Sequence, residues 1–258
     1  MIYLIGDTHG TIDFSCFMSL KDRARSGSLQ MSPDKDFVVV LGDWGVIWNN
    51  SPSKEEAKIL KMWDSAPWTT LVVDGNHENF ARLFSFPEVP FNGGIARQIS
   101  DRIYNLKRGE IYDLCGHRIF VFGGGLSIDK EHRVEGVSWW REELPTTREM
   151  DMGLEKLEQH GNKVDYIFTH EAPRRFVPEL LGCKNSKVDE SLPESLKYKS
   201  PLAAYFEHLY DEINFKAWFG GHYHCDKRIT RNNKEMFVLY YSIYSITDGE
   251  KISLVKQG

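Results

Sequence analysis

The sequence has few cysteines, no long hydrophobic run and no excess of basic residues. Its four cysteines are widely spaced and form no CxxC pair, a pattern typical of reduced thiols in a cytoplasmic protein. No stretch approaches 18 consecutive apolar residues, so we expect no membrane span. The first residues read as a strand, with no basic and apolar leader segment ahead of them, so we expect no signal peptide in this sequence, although processing would have removed one. The net charge of −5 provides no global basic field to attract nucleic acid, although a local basic groove stays open as an alternative.

Length and composition are those of a globular protein. With 258 residues, 41% hydrophobic and 27% charged, the chain is long enough to bury a sizeable core. No repeat, low-complexity run or Pro/Gly linker divides it. We therefore predict a single domain spanning residues 1–258.

Short apolar runs alternate with amphipathic segments along the chain. The predicted strands are residues 1–5, 36–41, 69–73, 164–169 and 216–219, and the predicted helices are residues 12–25, 53–65, 146–160 and 200–213. Ser53 with Glu56, and Thr146 with Glu149, have the spacing of capping boxes. The alternation predicts an α/β layered fold.

Two regions depart from this alternation. Residues 102–124 resemble a β-meander, and residues 236–256 resemble a hairpin that turns at Asp248 and Gly249. Both favour mixed sheets over purely parallel ones. Segments 125–145 and 171–200 are the expected long loops.

Polar residues that can bind metal ions follow each of the five predicted strands. Carboxylate, carboxamide or imidazole groups come after five separate apolar runs, at Asp7 and His9, Asp43, Asn76 and His77, His170, and His222 and His224. The carboxyl ends of neighbouring strands in an α/β sheet face one crevice, so we expect these residues to meet.

The chemistry of this set indicates a pair of metal ions. Imidazole and carboxylate ligands suit zinc, iron and manganese, and seven candidate ligands are too many for one ion. Two ions that share a bridging carboxylate activate water and stabilise an in-line displacement at phosphorus. Each motif alone is weak, because a lone histidine at a strand end is more often a hydrogen-bonded polar residue than a ligand.

The ordered motifs resemble those of the calcineurin-like metallophosphoesterases. The matching stretches are GDTHG at 6–10, GDWG at 42–45, GNHE at 75–78, THE at 169–171 and GHYH at 221–224. The resemblance implies two mixed β-sheets packed as a sandwich and flanked by α-helices, with a dinuclear centre of Mn, Fe or Zn ions. It implies that Asp7, His9 and His224 hold one ion, that Asn76, His170 and His222 hold the other, and that Asp43 bridges them. His77 would instead stabilise or protonate the leaving oxygen.

The expected activity is hydrolysis of a phosphomonoester or phosphodiester, possible substrates including a nucleotide, by attack of a metal-bound hydroxide. The second motif reads GDWGVIW, and Asp74 precedes GNHE where protein Ser/Thr phosphatases carry an arginine, which disfavours a phosphoprotein phosphatase of that type. Arg133 and Arg174 are candidate phosphate contacts. Trp139 and Trp140 either stack on a base or, as we favour, pack the loop on the body.

Two other functions stay open. A DNA or RNA nuclease would be expected to have a basic groove, which the negative net charge disfavours. A non-catalytic metal-binding scaffold should have lost ligands, and none of the eight positions is lost. The oligomeric state and the native metal pair are not predicted.

Overall fold

The apolar runs of the sequence form strands that are buried on both faces. The computed structural model describes residues 1–182, 200–247 and 251–255. Its strands are β1 (Ile2–Ile5), β2 (Phe37–Leu41), β3 (Thr69–Val73), β4 (Glu88–Phe91), β5 (Gly94–Ser100), β6 (Ile103–Leu106), β7 (Glu110–Leu114), β8 (His117–Phe122), β9 (Tyr166–Thr169), β10 (Ala217–Gly220), β11 (Lys227–Arg231), β12 (Lys234–Val238), β13 (Ile243–Ile246) and β14 (Ile252–Val255). Every residue of β1, β2, β3, β9 and β10 is buried, as expected for strands covered on both sides.

Helices connect the parallel strands. They are α1 (Ser15–Arg25), α2 (Lys54–Asp64), α3 (Phe80–Leu83), α4 (Thr147–Gln159), α5 (Val177–Leu181) and α6 (Pro201–Glu212). The four predicted helices correspond to α1, α2, α4 and α6. The capping box of Thr146 and Glu149 is complete, whereas Ser53 caps α2 alone because the Glu56 carboxylate pairs with Arg82. In the described part of the chain, no helix is both long enough and apolar enough to span a membrane.

The strands form two mixed sheets, as predicted. One has the order β14-β13-β1-β2-β3-β6-β5-β4, and the other has the order β11-β12-β10-β9-β8-β7. Strands β1, β2, β3 and β6 run parallel to one another in the first sheet, and β8, β9, β10 and β12 do so in the second, while antiparallel strands extend both sheets at their edges. The carboxyl ends of the parallel strands therefore gather at one edge of each sheet.

Alternate residues of the strands enter different hydrophobic cores. Val39 and Leu71 of the first sheet share a buried cluster with Phe168 and Phe219 of the second, so this cluster lies between the sheets. A second cluster covers the outer side of the first sheet with α1 and α2, and a third covers the outer side of the second sheet with α4, α5 and α6. The result is a sheet sandwich flanked by helices.

Several predicted elements are divided differently in the structure. The meander at 102–124 is split, because β6 joins the first sheet while β7 and β8 form a hairpin in the second. The first arm of the predicted hairpin at 236–256 is also split between β12 and β13, which lie in different sheets. Strands β13 and β14 pair antiparallel as expected, and the predicted turn at Asp248 and Gly249 lies outside the described residues.

The expected loops contain short helices. Segment 125–145 includes 3-10 turns at Lys130–His132 and Arg141–Glu143. Segment 171–200 begins with a 3-10 turn at Arg174–Phe176 and α5, and residues 183–199 lie outside the described residues.

Candidate metal centre

Both sheets deliver polar residues to the same place. Asp7 follows β1, Asp43 follows β2 and Asn76 follows β3, all in the first sheet. His170 directly follows β9, and His222 comes two residues after β10, both in the second sheet. The site therefore forms where the carboxyl ends of the two sheets meet.

Four residues on three of these strand exits have a strained backbone conformation. The φ angles of His9, Asp43, His222 and His224 are 44°, 48°, 72° and 49°, in the left-handed region. The other non-glycine residues with positive φ in the described chain are four asparagines and Cys115. Asparagine tolerates this region in turns, whereas a cluster of strained histidine and aspartate residues costs about 1–3 kcal/mol each and is typical of functional sites.

Glycine allows these exits to approach one another closely. Gly42 has a φ of 94°, and a Cβ atom built on it would overlap the imidazole of His170. Any other residue there would displace that ring.

The first group of side chains comes from both sheets. One ligand atom from each of Asp7, His9, Asp43 and His224 lies within 4.8 Å of all the others. His224 Nε2 lies 3.2 Å from Asp7 Oδ2, and His9 Nε2 lies 3.2 Å from Asp43 Oδ2. His9 Nδ1 lies 2.8 Å from Asp13 Oδ2, so Asp13 orients the ring with Nε2 toward the group.

The second group contains Asn76, His170 and His222. Asn76 Oδ1 lies 3.2 Å from His170 Nε2 and 3.0 Å from His222 Nδ1, and these two nitrogens are 3.2 Å apart. His170 Nδ1 donates to the carbonyl of Leu41 at 2.8 Å, which leaves Nε2 for the group.

Asp43 lies between the two groups. Its Oδ2 is the atom near His9, whereas its Oδ1 lies 3.3 Å from His170 Nε2 and accepts a hydrogen bond from the backbone N–H of His77. One carboxylate thus faces both groups.

The donor set fits divalent or trivalent metal ions. Asp7 and Asp43 are both 1% exposed, and Asp7 Oδ2 has no well-aligned hydrogen-bond donor among the described residues, although His224 Nε2 lies 3.2 Å away. Buried carboxylates are costly unless cations or hydrogen bonds compensate them. Two aspartates, an asparagine oxygen and four imidazoles form the mixed nitrogen and oxygen set that transition metals prefer.

Imidazole groups of the protein itself compensate the negative charge of Asp7 and Asp43. Burial lowers the pKa of His170, but Asp43 and Asp7 outweigh burial and raise this pKa to about 10. The same competition between burial and Asp43 raises the pKa of His9 to about 9. His222 is affected in the opposite direction, because burial and the neighbouring His170 lower its pKa to about 3.

His77 lies beside both groups without joining either. Its Nε2 is 4.0 Å from Asp43 Oδ2, and its ring stacks on Trp48 at 5.8 Å between centroids. Trp48 in turn packs edge-to-face against Trp140, which is buried, as the packing interpretation expects. His77 is therefore held at the surface of the site.

Arg133 reaches the site, and Arg174 does not. The Nη1 and Nη2 atoms of Arg133 lie 3.4 and 3.3 Å from the ring nitrogens of His77. Asp129 accepts from the Nε and Nη2 groups of Arg133, and the carbonyl of Ser138 accepts from Nη1. Arg174 is exposed and is not among the described residues that line the cavity.

A cavity of about 390 Å³ opens beside the two groups. Part of its lining is polar and comes from five of the seven metal-ligand candidates together with His77 and Arg133. Another part is apolar, formed by Leu126, Ile128, Val177, Leu181 and Tyr223. The volume is in the range of small-molecule sites.

Three supporting residues were missed by the sequence analysis. Asp13 could have been found, because it follows His9 by four residues. Ser127 and Glu143 offered no signal: Asn76 Nδ2 donates to Ser127 Oγ at 3.1 Å, and Ser127 donates to Glu143. Both belong to the segment 125–145, which was predicted only to be a loop.

Comparisons with known proteins agree with this geometry. The model of the family described as calcineurin-like phosphoesterase matches residues 1–226. No curated protein matches the sequence. Among solved structures, a dimetal phosphatase from Danio rerio is 12% identical with a TM-score of 0.51, covering 100% of this chain and 98% of its own. GAP50, the anchor in the inner membrane complex of Plasmodium, is 9% identical with a TM-score of 0.54, covering 99% of this chain and 84% of its own.

At these identities the structural neighbours establish the fold, whereas the match to the family model spans most of the sequence and includes the five motif stretches. The chain belongs to the calcineurin-like phosphoesterase family.

Proposed function

We propose that this protein is a metal-dependent phosphoesterase that hydrolyses a small phosphomonoester or phosphodiester. The observation that carries the proposal is the convergence of seven donor side chains into two groups with Asp43 between them. Asp7, His9 and His224 would hold one ion, Asn76, His170 and His222 would hold the other, and Asp43 would contact both. When bound, Mn, Fe or Zn ions would lower the pKa of water and offset charge on the phosphoryl oxygens.

His77 is suited to the leaving group. Hydrolysis joins a water oxygen to phosphorus and breaks the bond to the ester oxygen, which must then gain a proton. His77 lines the cavity next to Asp43, and its backbone N–H is fixed by that carboxylate. It is positioned to donate a hydrogen bond or a proton to the departing oxygen.

Arg133 is suited to the phosphoryl group. Of its five N–H groups, three are engaged by Asp129 and the Ser138 carbonyl, and the remaining one on each Nη atom faces the His77 ring at the edge of the cavity. These two form the end of the guanidinium that binds two phosphate oxygens together. Asp129 and Ser138 hold this end beside His77.

The cavity favours a small ester with an apolar or planar group. Its apolar lining supports contacts to the organic part of the substrate, and Arg133 is the one arginine or lysine among the described residues that line it, which disfavours a polyanionic strand. A nuclease is therefore the second candidate. The third candidate is a non-catalytic metal-binding scaffold, which should have lost ligands. Here, however, the donor set is complete.

Activity of metal-reconstituted protein on a substrate panel tests the proposal. The panel contains an aryl monoester, an aryl diester, 2′,3′- and 3′,5′-cyclic nucleotides, dinucleoside polyphosphates and single-stranded nucleic acid. We expect metal-dependent turnover of at least one small ester, abolished in Asp43→Ala. Turnover of nucleic acid alone would favour the nuclease, and no turnover with two bound ions would favour the scaffold.

A further inference from the structure

The side-chain amide of Asn76 can serve a metal ion in only one of its two orientations. Its oxygen accepts and can bind a cation, whereas its NH₂ group only donates. In the structure Oδ1 faces His170 and His222, at 3.2 and 3.0 Å. Turning the amide by half a rotation exchanges oxygen and nitrogen with little change in shape, so a neighbouring group must select the orientation.

A buried chain of hydrogen bonds contacts the other end of this amide. Asn76 Nδ2 donates to Ser127 Oγ at 3.1 Å, and the Ser127 hydroxyl donates to Glu143 Oε2 at 2.6 Å. Glu143 Oε1 also accepts from the backbone N–H of Ser127 at 3.0 Å. All three residues are buried, with exposed fractions of 5%, 3% and 0% for Asn76, Ser127 and Glu143.

When Glu143 is ionised, donor counting fixes the direction of this chain. A serine hydroxyl has one hydrogen, and a carboxylate can only accept. Because Ser127 donates its hydrogen to Glu143, it presents only lone pairs to Asn76. Asn76 must then direct its NH₂ group at Ser127, which directs Oδ1 at the two imidazoles.

We propose that Ser127 and Glu143 are positioning residues that select the metal-binding orientation of the Asn76 amide and so set the affinity of the second metal group. The inference rests on the proposed ligand role of Asn76, His170 and His222. The hydrogen bonds between Ser127 and Glu143 also join the two ends of segment 125–145, which carries Arg133. The same contact therefore orients the Asn76 amide and holds this segment in place.

An isosteric substitution tests the direction of the chain. In Glu143→Gln the side-chain oxygen must stay on the Ser127 N–H, which places its NH₂ group at the Ser127 hydroxyl. Ser127 then accepts from Gln and donates to Asn76, which favours the wrong amide orientation. Ser127→Ala removes the selection without reversing it, and Ser127→Thr keeps the hydroxyl.

The readout is metal affinity at each group, measured by titrating metal-free protein with Mn²⁺ or Zn²⁺ in a chelator competition. Loss of an outer-shell partner typically weakens metal affinity about 10–100-fold. We expect the metal affinity of the second group to be highest in wild type and Ser127→Thr, lower in Ser127→Ala and lowest in Glu143→Gln. Affinity of the other group should change less than about twofold, well below the outer-shell effect.

A matched control replaces a buried carboxylate elsewhere. Glu56 is 4% exposed and bonds to Arg82 through both oxygens, away from the cavity lining. Glu56→Gln should therefore leave both affinities unchanged while testing the general effect of the substitution. If Glu143→Gln binds both ions like wild type, or weakens both groups equally, the positioning role is wrong. If the wild-type protein binds fewer than two ions, the proposed two-metal function is wrong. This outcome is distinct from a wrong positioning role, which only the variants reveal.

Discussion

Gly221 provides a steric test of how closely the strand exits pack. A Cβ atom built on Gly221 would overlap Asp7 Oδ1 and lie 2.8 Å from the carbonyl oxygen of Leu41, closer than the 3.0 Å below which real Cβ atoms essentially never approach. Gly221 is outside the left-handed region, so Gly221→Ala adds a methyl group without added backbone strain. The methyl must displace Asp7 or move β10 away from β2.

The expected cost follows from these contacts. Overpacking of this kind destabilises by about 1–3 kcal/mol. In a protein of this size each kcal/mol lowers the melting temperature by about 2–4 °C, so we expect a decrease of roughly 2–12 °C. Displacement of a catalytic group by about 1 Å can cost about 10²-fold in rate, and kcat/KM should fall accordingly.

Gly182→Ala is the matched control. Gly182 is exposed, and its Cβ atom would make only ordinary contacts, the nearest at 3.7 Å to carbonyl oxygens. Thermal melting, metal titration and kcat/KM are measured on both variants. Equal behaviour of the two alanine variants would refute the close packing of Asp7 against Gly221.

Three further outcomes follow from the site. His77→Ala should keep both metals and lose about 10²–10⁴-fold in rate on an alkyl ester, but clearly less on an activated aryl ester, because the aryl leaving group needs no proton; equal losses would argue against the leaving-group role. Asp43→Ala should weaken both metal groups and His224→Ala mainly one, which elemental analysis of dialysed protein can check; two tight ions in Asp43→Ala would remove the bridging assignment. Chelation should lower the melting temperature, by roughly 5–10 °C for each ion relative to protein with metal at about 100 times Kd, since bound ions stabilise only the folded state; an unchanged melting temperature would argue against a metal site.

The site residues were predictable because their signal is local. Each of Asp7, Asp43 and His170 follows an apolar run within a few residues, and parallel strands bring such positions to one edge. The longer helices α1, α2, α4 and α6 were predicted for the same reason, since their apolar periodicity and caps are local features, whereas the short helices α3 and α5 were not predicted.

Sheet membership and the supporting residues were not predictable in this way. The segment 234–246 contains two strands that pair in different sheets, and its sequence alone does not show which partner each will meet. Ser127 and Glu143 are 16 residues apart and meet only after the intervening segment folds back. That residues 1–258 form one domain, and that the protein is cytoplasmic, stay predictions.

The central claim is that two metal ions share Asp43. Anomalous diffraction from a crystal loaded with Mn²⁺ tests it most directly, because it locates each ion independently of activity. We expect two peaks about 3.5–4 Å apart, one among Asp7, His9 and His224 and one among Asn76, His170 and His222, with Asp43 contacting both. A single fully occupied peak, or peaks away from Asp43, would contradict it.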